Sequence, residues 1–387
     1  MKHAPRRPFY FADDLMLVKG WCPGLHKPME AKDGFLIRLT PPGGVLKSGQ
    51  LHTLAETAAR YGRGIVQVTM RGNLQVRGLQ AQSVATCQQI LSDAGLSDAS
   101  PSLERIRQSV LMSPLHAIDP ECAPETAEIA TNLMAALAQH PLLDDLPPKF
   151  CFGIDGGGFL PIGSIVADIT ASYEGRLWRV RCDQETRILE AAEVVDAIME
   201  CAAACATSRP GRRIASPRAA NAAPLPHLIG KLPSGWRGYG VVLGMLRSDD
   251  IRQIAENVDE IRLLPGRGFM TPRVLSMPCL VTDPDDKMAQ IFACCGIEGC
   301  EHAHMDTMRD ARYFAVTLTA NTRLHVSGCR KGCAHPGKAD VTLVGAENGY
   351  AVIKNGNTQC AETHPIMTRE AIGDMLKSQN EADALRK

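Results

Sequence analysis

Four cysteines in the C-terminal half have the residue type and the grouping of an iron–sulfur cluster site. Five residues separate Cys294 from Cys300, and three separate Cys329 from Cys333. A cubane cluster is held by thiolates that converge from different segments, and adjacent glycines let the backbone pack close to the inorganic core. The glycines beside these cysteines are Gly296, Gly299, Gly328 and Gly332. The pattern therefore predicts a [4Fe–4S] cluster on the four cysteines.

A structural zinc site and a set of incidental core cysteines are the alternative interpretations of these residues. Paired zinc ligands are typically separated by about two to four residues, a spacing that Cys294 and Cys300 exceed. Cys295 could exchange roles with its neighbour Cys294. The chain has 14 cysteines, and we expect free thiols rather than disulfides because the cytosol keeps thiols reduced.

Local charge indicates a polyanionic ligand, although the chain as a whole is balanced. Lys plus Arg and Asp plus Glu both total 42, which argues against nucleic acid or an anionic membrane as a partner. Two stretches, 57–92 and 311–339, contain no acidic residue. Their basic residues are Arg60, Arg63, Arg71, Arg77, Arg312, Arg323, Arg330, Lys331 and Lys338. Solvated surface is the alternative explanation for both stretches.

The elements that must position these side chains include an internal repeat. A strand at 34–40, a helix capped by Ser48 and a strand at 65–69 recur as a strand at 239–245, a helix capped by Ser248 and a strand at 260–264. Each unit runs into an arginine-bearing turn, MRGN at 70–73 and PGRG at 265–268. The repeat predicts two structurally equivalent halves.

Length and composition set the remaining limits. A chain of 387 residues is expected to form two or more domains. Residues 206–226 are rich in Ala, Pro, Arg and Ser and have the composition of a connecting segment. The longest apolar runs are far shorter than the ~20 residues of a membrane-spanning helix, and the N-terminus is a poor secretory signal. We therefore expect an α+β protein with mixed sheets, located in the cytoplasm.

The cysteine spacing, C-x5-C followed by C-x3-C, resembles the cluster signature of sirohaem sulfite and nitrite reductases. The segment GFLIRLTPPGG at 34–44 is similar to the strand that opens the first half of those enzymes, and the resemblance implies a substrate-pocket role for Arg38. VTMRGNLQVRG at 68–78 resembles their T-x-R-x-N-x-Q motif. By this resemblance, Arg71 binds a tetrapyrrole carboxylate.

Two further segments extend the resemblance. IRQSVLMSPLHAIDP at 106–120 implies a pocket position for Arg107, and LPPKF at 146–150 implies one for Lys149. The second lysine of the family, which binds the reducible oxyanion, is replaced here by Cys151. This departure argues against the six-electron reduction of sulfite or nitrite.

The resemblance also implies the architecture. It predicts an internally duplicated sulfite/nitrite reductase-like α+β fold, in which two ferredoxin-like half-domains pair and two larger mixed α/β domains carry the cluster and the tetrapyrrole. The predicted division is residues 1–98 for the first half-domain, 99–222 for an α/β domain with linker, 223–284 for the second half-domain and 285–387 for the cluster domain.

One branch of this superfamily, the precorrin-3B synthases of aerobic cobalamin biosynthesis, is similar over nearly the whole chain. The segments that resemble this branch are WCPGLHKPM at 21–29, FGIDGGG at 152–158 and GCRKGCAHPGKADVTLVG at 328–345. The resemblance implies precorrin-3A as substrate, hydroxylated at C20 with O2, with a γ-lactone formed from the ring A acetate. A sirohaem-dependent sulfite or nitrite reductase and a non-catalytic electron-shuttling cluster protein are the alternatives.

The branch also implies a mononuclear non-haem iron, which favours His and carboxylate ligands. His335 is the first candidate ligand and His26 the second, while His302, His304 and His325 are unranked. Arg77, Arg267 and Arg273 are weaker candidates for the substrate pocket. No G-x-G-x-x-G motif follows a strand, so we expect NADH to be a remote electron donor that acts through a separate reductase. No catalytic residue can be named from the sequence.

Overall fold

The computed structural model describes residues 22–98, 100–162, 167–183, 185–208, 228–232, 235–319, 322–335 and 337–384. Most of the predicted connecting segment at 206–226 lies outside the described residues. The elements up to residue 208 are β1 Met29–Ala31, β2 Gly34–Leu39, β3 Val45–Lys47, α1 Ser48–Tyr61, β4 Ile65–Val68, β5 Leu74–Leu79, α2 Val84–Asp93, α3 Pro101–Ser109, β6 Val110–Met112, α4 Thr126–Gln139, β7 Phe152–Asp155, β8 Ile169–Glu174, β9 Leu177–Cys182, β10 Glu185–Leu189 and α5 Val194–Ser208.

The remaining elements begin after the connecting segment. They are β11 Gly230–Lys231, β12 Arg237–Val241, β13 Met245–Arg247, α6 Ser248–Asn257, β14 Glu260–Leu264, β15 Gly268–Thr271, β16 Leu280–Val281, β17 Ile291–Ala293, α7 Gly296–Gly299, α8 Thr307–Thr317, β18 Leu324–Ser327, β19 Ala339–Ala346, β20 Gly349–Gly356, β21 Ile366–Met367 and α9 Arg369–Ala384. Among the described residues, no helix is both long and apolar enough to cross a membrane.

The two repeat units form two antiparallel sheets that exchange a strand. The first sheet has the order β1-β2-β5-β4-β13 and the second has the order β11-β12-β15-β14-β3, with β16 also pairing with β12. In β3, Leu46 lies opposite Ile261 of the second unit, and in β13, Leu246 lies opposite Val66 of the first. Each sheet therefore contains one strand of the other unit, and the halves cannot separate without breaking both sheets.

One hydrophobic core lies between these sheets and joins the halves. Helices α1 and α6 pack against each other and bury Leu51 and Leu54 from one unit with Ile251 and Ile254 from the other. The spacing of three to four residues places each pair of side chains on one helical face. The predicted repeat is thus observed as two interlocked units rather than two neighbouring domains.

The prediction that Ser48 and Ser248 are helix caps was wrong by one residue. Both serines are the first helical residues, and Lys47 and Arg247 occupy the cap positions. The Ser48 hydroxyl donates instead to the carbonyl of Ala255 in the other helix at 2.8 Å. Its hydrogen bond therefore stabilises the contact between the two units.

Two mixed sheets flank the duplicated core. The third sheet, β10-β9-β8-β7-β6, is covered by α4 and α5 around the buried residues Leu133, Trp178 and Ile198. The fourth, β17-β18-β19-β20-β21, packs against α8 and α9 through Phe314 and Ile372. In each sheet three successive strands are parallel and the rest are antiparallel. These sheets complete the predicted α+β architecture, while the domain boundaries stay a prediction.

Candidate functional site

The four predicted cluster cysteines line one cavity of about 290 Å³. Cys294 follows β17, Cys300 follows α7, and Cys329 and Cys333 lie in the turn after β18. Strands β17 and β18 are parallel neighbours, so their carboxyl ends lie at the same edge of the sheet. This topology brings together two loops that are distant in the sequence.

The cysteines that line this cavity also affect one another electrostatically. Burial, together with the other three cysteines and against the opposing effect of Lys331, raises the pKa of the Cys333 thiol to about 11. Burial also raises the pKa of Cys329, to which Cys300 and Cys294 contribute. The thiols of Cys329 and Cys333 would therefore remain protonated at neutral pH without metal, whereas bound iron would favour their thiolates.

The surroundings of the cysteines fit a cluster. The Gly328 N–H donates to the Cys294 sulfur at 3.2 Å. A Cβ on Gly328 would lie 2.6 Å from the Ala303 Cβ, so the close approach of this loop requires glycine. Within the described ranges, no three His, Cys, Asp or Glu side chains are placed to hold a single metal ion. A cubane differs from a single ion because its ligand sulfurs bind separate corners, and sulfurs spaced around a cavity fit it.

A ladder of polar side chains forms the opposite wall of this cavity, which we call the cysteine cavity. Gln67, Gln75 and Arg38 are cross-strand neighbours on β4, β5 and β2. Gln75 donates to Gln67 at 2.8 Å, and its Oε1 accepts from Arg38 Nε and Nη2 at 3.1 and 2.7 Å. Burial lowers the pKa of Arg38, and a hydrogen bond with Cys22 opposes this effect. The ladder fixes the Arg38 guanidinium on the cavity wall.

Sequence reasoning left Gln75 and Cys22 without a role, yet both line the cysteine cavity. A signal for Gln75 was present in the alternation of β5. Leu74 and Val76 belong to the hydrophobic core, while Gln75 and Arg77 are also buried but face the other side of the strand. Buried polar residues on one face of a strand indicate a lined cavity rather than a solvated surface.

Arg77 and Cys295 lie where the cysteine cavity meets the cluster loop. Arg77 donates to both carboxylate oxygens of Asp33, at 3.0 and 2.8 Å, and to the Gly299 carbonyl at 2.8 Å. Burial raises the pKa of Cys295 to about 12, and Arg77 acts in the opposite direction. Arg77 is therefore committed to holding the loop before Cys300 and is not a free cation for a substrate carboxylate.

A second cavity of about 550 Å³ adjoins the first across the turn between β4 and β5. Thr69 and Met70 line the cysteine cavity, while Arg71 lines the second cavity together with Arg107. Apolar residues form most of its walls, including Pro41, Leu111, Met112, Ala130 and Met134. Arg71 and Arg107 therefore line the same cavity, and Arg38 lines the adjoining cysteine cavity.

The predicted carboxylate-binding residues differ in whether their side chains already pair with another residue. Arg107 forms an ion pair with Asp98. Arg71 is exposed and makes no hydrogen bond or ion pair with any residue in the described part of the chain. Lys149 is exposed at the rim of the cysteine cavity. Arg273, a weaker candidate, lies in neither cavity and pairs with Asp259 at the surface.

The two ranked candidate iron ligands, His335 and His26, have different neighbours, although His335 contacts the unranked candidate His325. The His335 ring is buried, stacks on Phe292 at 4.7 Å and meets His325 edge-on at 5.7 Å. Its Nε2 is 3.2 Å from the Lys338 carbonyl. His26 instead contacts the Asp98 carbonyl through Nε2 at 2.8 Å.

Cys151 is the residue that, by the sequence resemblance, replaces the second lysine of the sirohaem reductases. Its thiol is buried and lies 3.8 Å from Asp168 Oδ2, and its backbone N–H donates to the same oxygen at 3.0 Å. This position therefore supplies no cation to either cavity.

Comparisons with known proteins show which families resemble this chain. Residues 27–94 match the nitrite/sulfite reductase ferredoxin-like half domain. A precorrin-3B synthase from Sinorhizobium sp is 31% identical over 87% of this chain and 83% of that protein. A ferredoxin–nitrite reductase from Synechococcus elongatus is 24% identical over 81% of this chain and 76% of its own. The NirA protein of Mycobacterium tuberculosis has a similar fold, with a TM-score of 0.62 and 16% identity over 89% of this chain and 79% of that chain.

Proposed function

Because the chain belongs to the precorrin-3B synthase family within the sulfite and nitrite reductase superfamily, we propose that it hydroxylates precorrin-3A at C20 with O2 and closes a γ-lactone from the ring A acetate. The chain is an oxidoreductase, and the reaction belongs to aerobic cobalamin biosynthesis. One observation carries the proposal. Four cysteines from two loops line the same cavity as Arg38 and Lys149, which supports a site where a cluster on the cysteines would lie beside cations able to bind carboxylates.

The cluster part of the proposal assigns [4Fe–4S] ligation to Cys294, Cys300, Cys329 and Cys333. When bound, the cluster supplies single electrons. The protein contributes four thiolates and the Gly328 N–H, which donates to the Cys294 sulfur. A backbone donor of this kind stabilises negative charge on the ligand sulfur and helps set the reduction potential.

The substrate part of the proposal assigns the tetrapyrrole carboxylates to Arg38, Arg71, Arg107 and Lys149. A guanidinium binds a carboxylate in bidentate geometry, and each charge-assisted hydrogen bond contributes about 1.5–3 kcal/mol. Arg38 is already oriented by Gln75, so less side-chain entropy is lost on binding. Arg107 must share its guanidinium with Asp98, and we expect it to contribute less than Arg71.

Electrons are proposed to come from NADH through a separate reductase, and O2 is proposed to react in the cysteine cavity. A mononuclear iron on His335 does not fit the described residues. The His335 Nε2 faces the Lys338 carbonyl, and no group of three suitable ligands occurs in the described ranges. The proposed function therefore uses no step through such an iron.

The direct test supplies precorrin-3A and a reductant to the anaerobically purified protein, then admits O2 labelled with ¹⁸O. We expect no product before O2 is added, and afterwards a product that carries one labelled oxygen. Turnover without O2 would reject the proposal. The absorption bands of an iron isobacteriochlorin in the purified protein, together with nitrite reduction, would instead support a sirohaem reductase.

A further inference from the structure

Arg267 joins the two loops that carry the cysteines. Its Nη2 donates to the carbonyl of Ala293 at 2.8 Å and to that of Ala334 at 3.5 Å. Ala293 directly precedes Cys294, and Ala334 directly follows Cys333. The same guanidinium therefore holds the start of one cysteine loop and the end of the other. Its Nη1 donates to the Leu243 carbonyl at 3.3 Å, which ties both loops to the duplicated core.

The charge of this arginine has no carboxylate to compensate it within the described part of the chain. Arg267 is 5% exposed, its Nε has no hydrogen-bond partner there, and no ion pair involves it. Burial lowers the pKa of Arg267 to about 10, and the cysteines Cys294, Cys295 and Cys333 act in the opposite direction. The side chain thus remains cationic at neutral pH. The groups that can balance it are the cysteine sulfurs, which carry negative charge when they bind metal as thiolates.

The backbone at Arg267 is strained to achieve this placement. Ile65 and Glu260 occupy equivalent places in the two units, opposite Arg247 and Lys47 respectively. Gly72 lies seven residues after Ile65, and Arg267 lies seven residues after Glu260, so the two residues correspond. Both have a left-handed backbone, with φ of 70° and 71°, a region that favours glycine.

The second unit thus has a bulky residue, Arg267, at the position where the first unit has a glycine that adopts this backbone without strain. Strained backbone positions of this kind cluster at functional sites. The Arg267 side chain also packs closely, since a Cβ on Gly244 would lie 2.9 Å from its Cδ.

We propose that Arg267 is a positioning residue that closes the two cysteine loops around the cluster and supplies the buried positive charge that compensates it. This inference rests on the proposed cluster ligation. A cation this close to a negatively charged cluster stabilises the more negative, reduced state, so it raises the reduction potential.

The test uses the full chain with its cluster, purified without O2. Arg267→Met removes the charge and the donors but keeps much of the bulk, whereas Arg267→Lys keeps the charge but loses the planar fork that reaches several carbonyls. Arg273→Met is the matched control, because its guanidinium is exposed and pairs with Asp259 at the surface. The two readouts are the midpoint potential from a redox titration followed by electron paramagnetic resonance, and the rate of iron loss to a chelator.

We expect Arg267→Met to shift the midpoint potential to a more negative value and to lose iron several-fold faster than the wild-type protein. Arg267→Lys should keep a potential near that of the wild type yet lose iron faster, and Arg273→Met should match the wild type in both readouts. A wild-type potential and a wild-type rate in Arg267→Met overturn the inference. If that variant does not fold, a wild-type rate of iron loss in Arg267→Lys overturns it. A wild-type protein that holds no cluster refutes the proposed function itself.

Discussion

Replacing Arg77 by Met should destabilise the protein far more than breaking a surface ion pair of the same length. Arg77 and Asp33 have side-chain exposures of only 7% and 5%, with 2.8 Å between Arg77 Nη2 and Asp33 Oδ1. The same nitrogen donates to the Gly299 carbonyl. Met fills much of the volume of the arginine stem, so the main change is the loss of charge and donors.

The expected loss of stability follows from the Asp33 carboxylate, which the substitution leaves buried and unpaired. Removing one partner of a buried pair leaves an uncompensated charge and costs about 3–5 kcal/mol. Arg179 and Glu174 also lie 2.8 Å apart, but their side chains are 48% and 39% exposed. For such a pair the loss is about 0–1 kcal/mol, because water solvates the remaining carboxylate. Equal distance and different burial make Arg179→Met the matched control.

The assay is urea unfolding followed by far-ultraviolet circular dichroism, with each variant prepared anaerobically in the same way. Arg77→Met should lower the free energy of unfolding by about 3–5 kcal/mol and Arg179→Met by at most about 1 kcal/mol. Adding Asp33→Asn to Arg77→Met should recover part of the loss, since the remaining buried group is then neutral. Equal losses in the two single Arg variants would refute the reasoning that burial decides the contribution of this pair.

Three further variants test the site. Cys333→Ser should lose most cluster iron and visible absorbance while Cys87→Ser, in the hydrophobic core, should keep both; equal iron contents would contradict the ligand assignment. Gly328→Ala should retain less iron per chain after reconstitution, because its Cβ would lie 2.6 Å from that of Ala303; wild-type iron content would show that the loop can shift. Arg71→Ala should weaken tetrapyrrole binding in an absorbance titration by about 1.5–3 kcal/mol, and an unchanged affinity would remove Arg71 from the site.

Local periodicity was enough to predict most elements of the repeat. The strand predicted at 239–245 was wrong, because β12 ends at Val241 and a turn at Val242–Gly244 separates it from β13. The strand expected at 34–40 is observed at Gly34–Leu39, and the strand expected at 260–264 has those bounds. The predicted inward positions of the first helix, including Leu51 and Leu54, are buried in the core. These predictions held because each element buries one regular face, and the period of that face is visible in a short window.

The exchange of strands between the units could not be predicted in the same way. The exchanged strands Val45–Lys47 and Met245–Arg247 have three residues each, too few to show an alternation. Nothing in so short a segment distinguishes pairing with its own unit from pairing with the other. Tertiary packing of the two helices decides this choice, and it also takes the Ser48 hydroxyl away from its expected capping role.

Three arginines, of which Arg77 and Arg267 are buried and Arg262 is half-buried, link the duplicated core to the flanking sheets, and they show why the site was only partly predictable. Arg77 binds the Gly299 carbonyl, Arg267 binds the Ala293 carbonyl, and Arg262 donates to the His116 carbonyl at 3.0 Å. In each case the acceptor is a backbone carbonyl, a group that every residue type carries. The cysteines were recognisable because cluster ligation demands one side chain at a defined spacing. The three arginines were not recognisable in this way, because every residue has a backbone carbonyl and a single sequence does not show which one accepts the hydrogen bond. Residues that hold the cluster loops in place must therefore be found in the structure, starting from buried cations that have no carboxylate partner or that also reach the backbone.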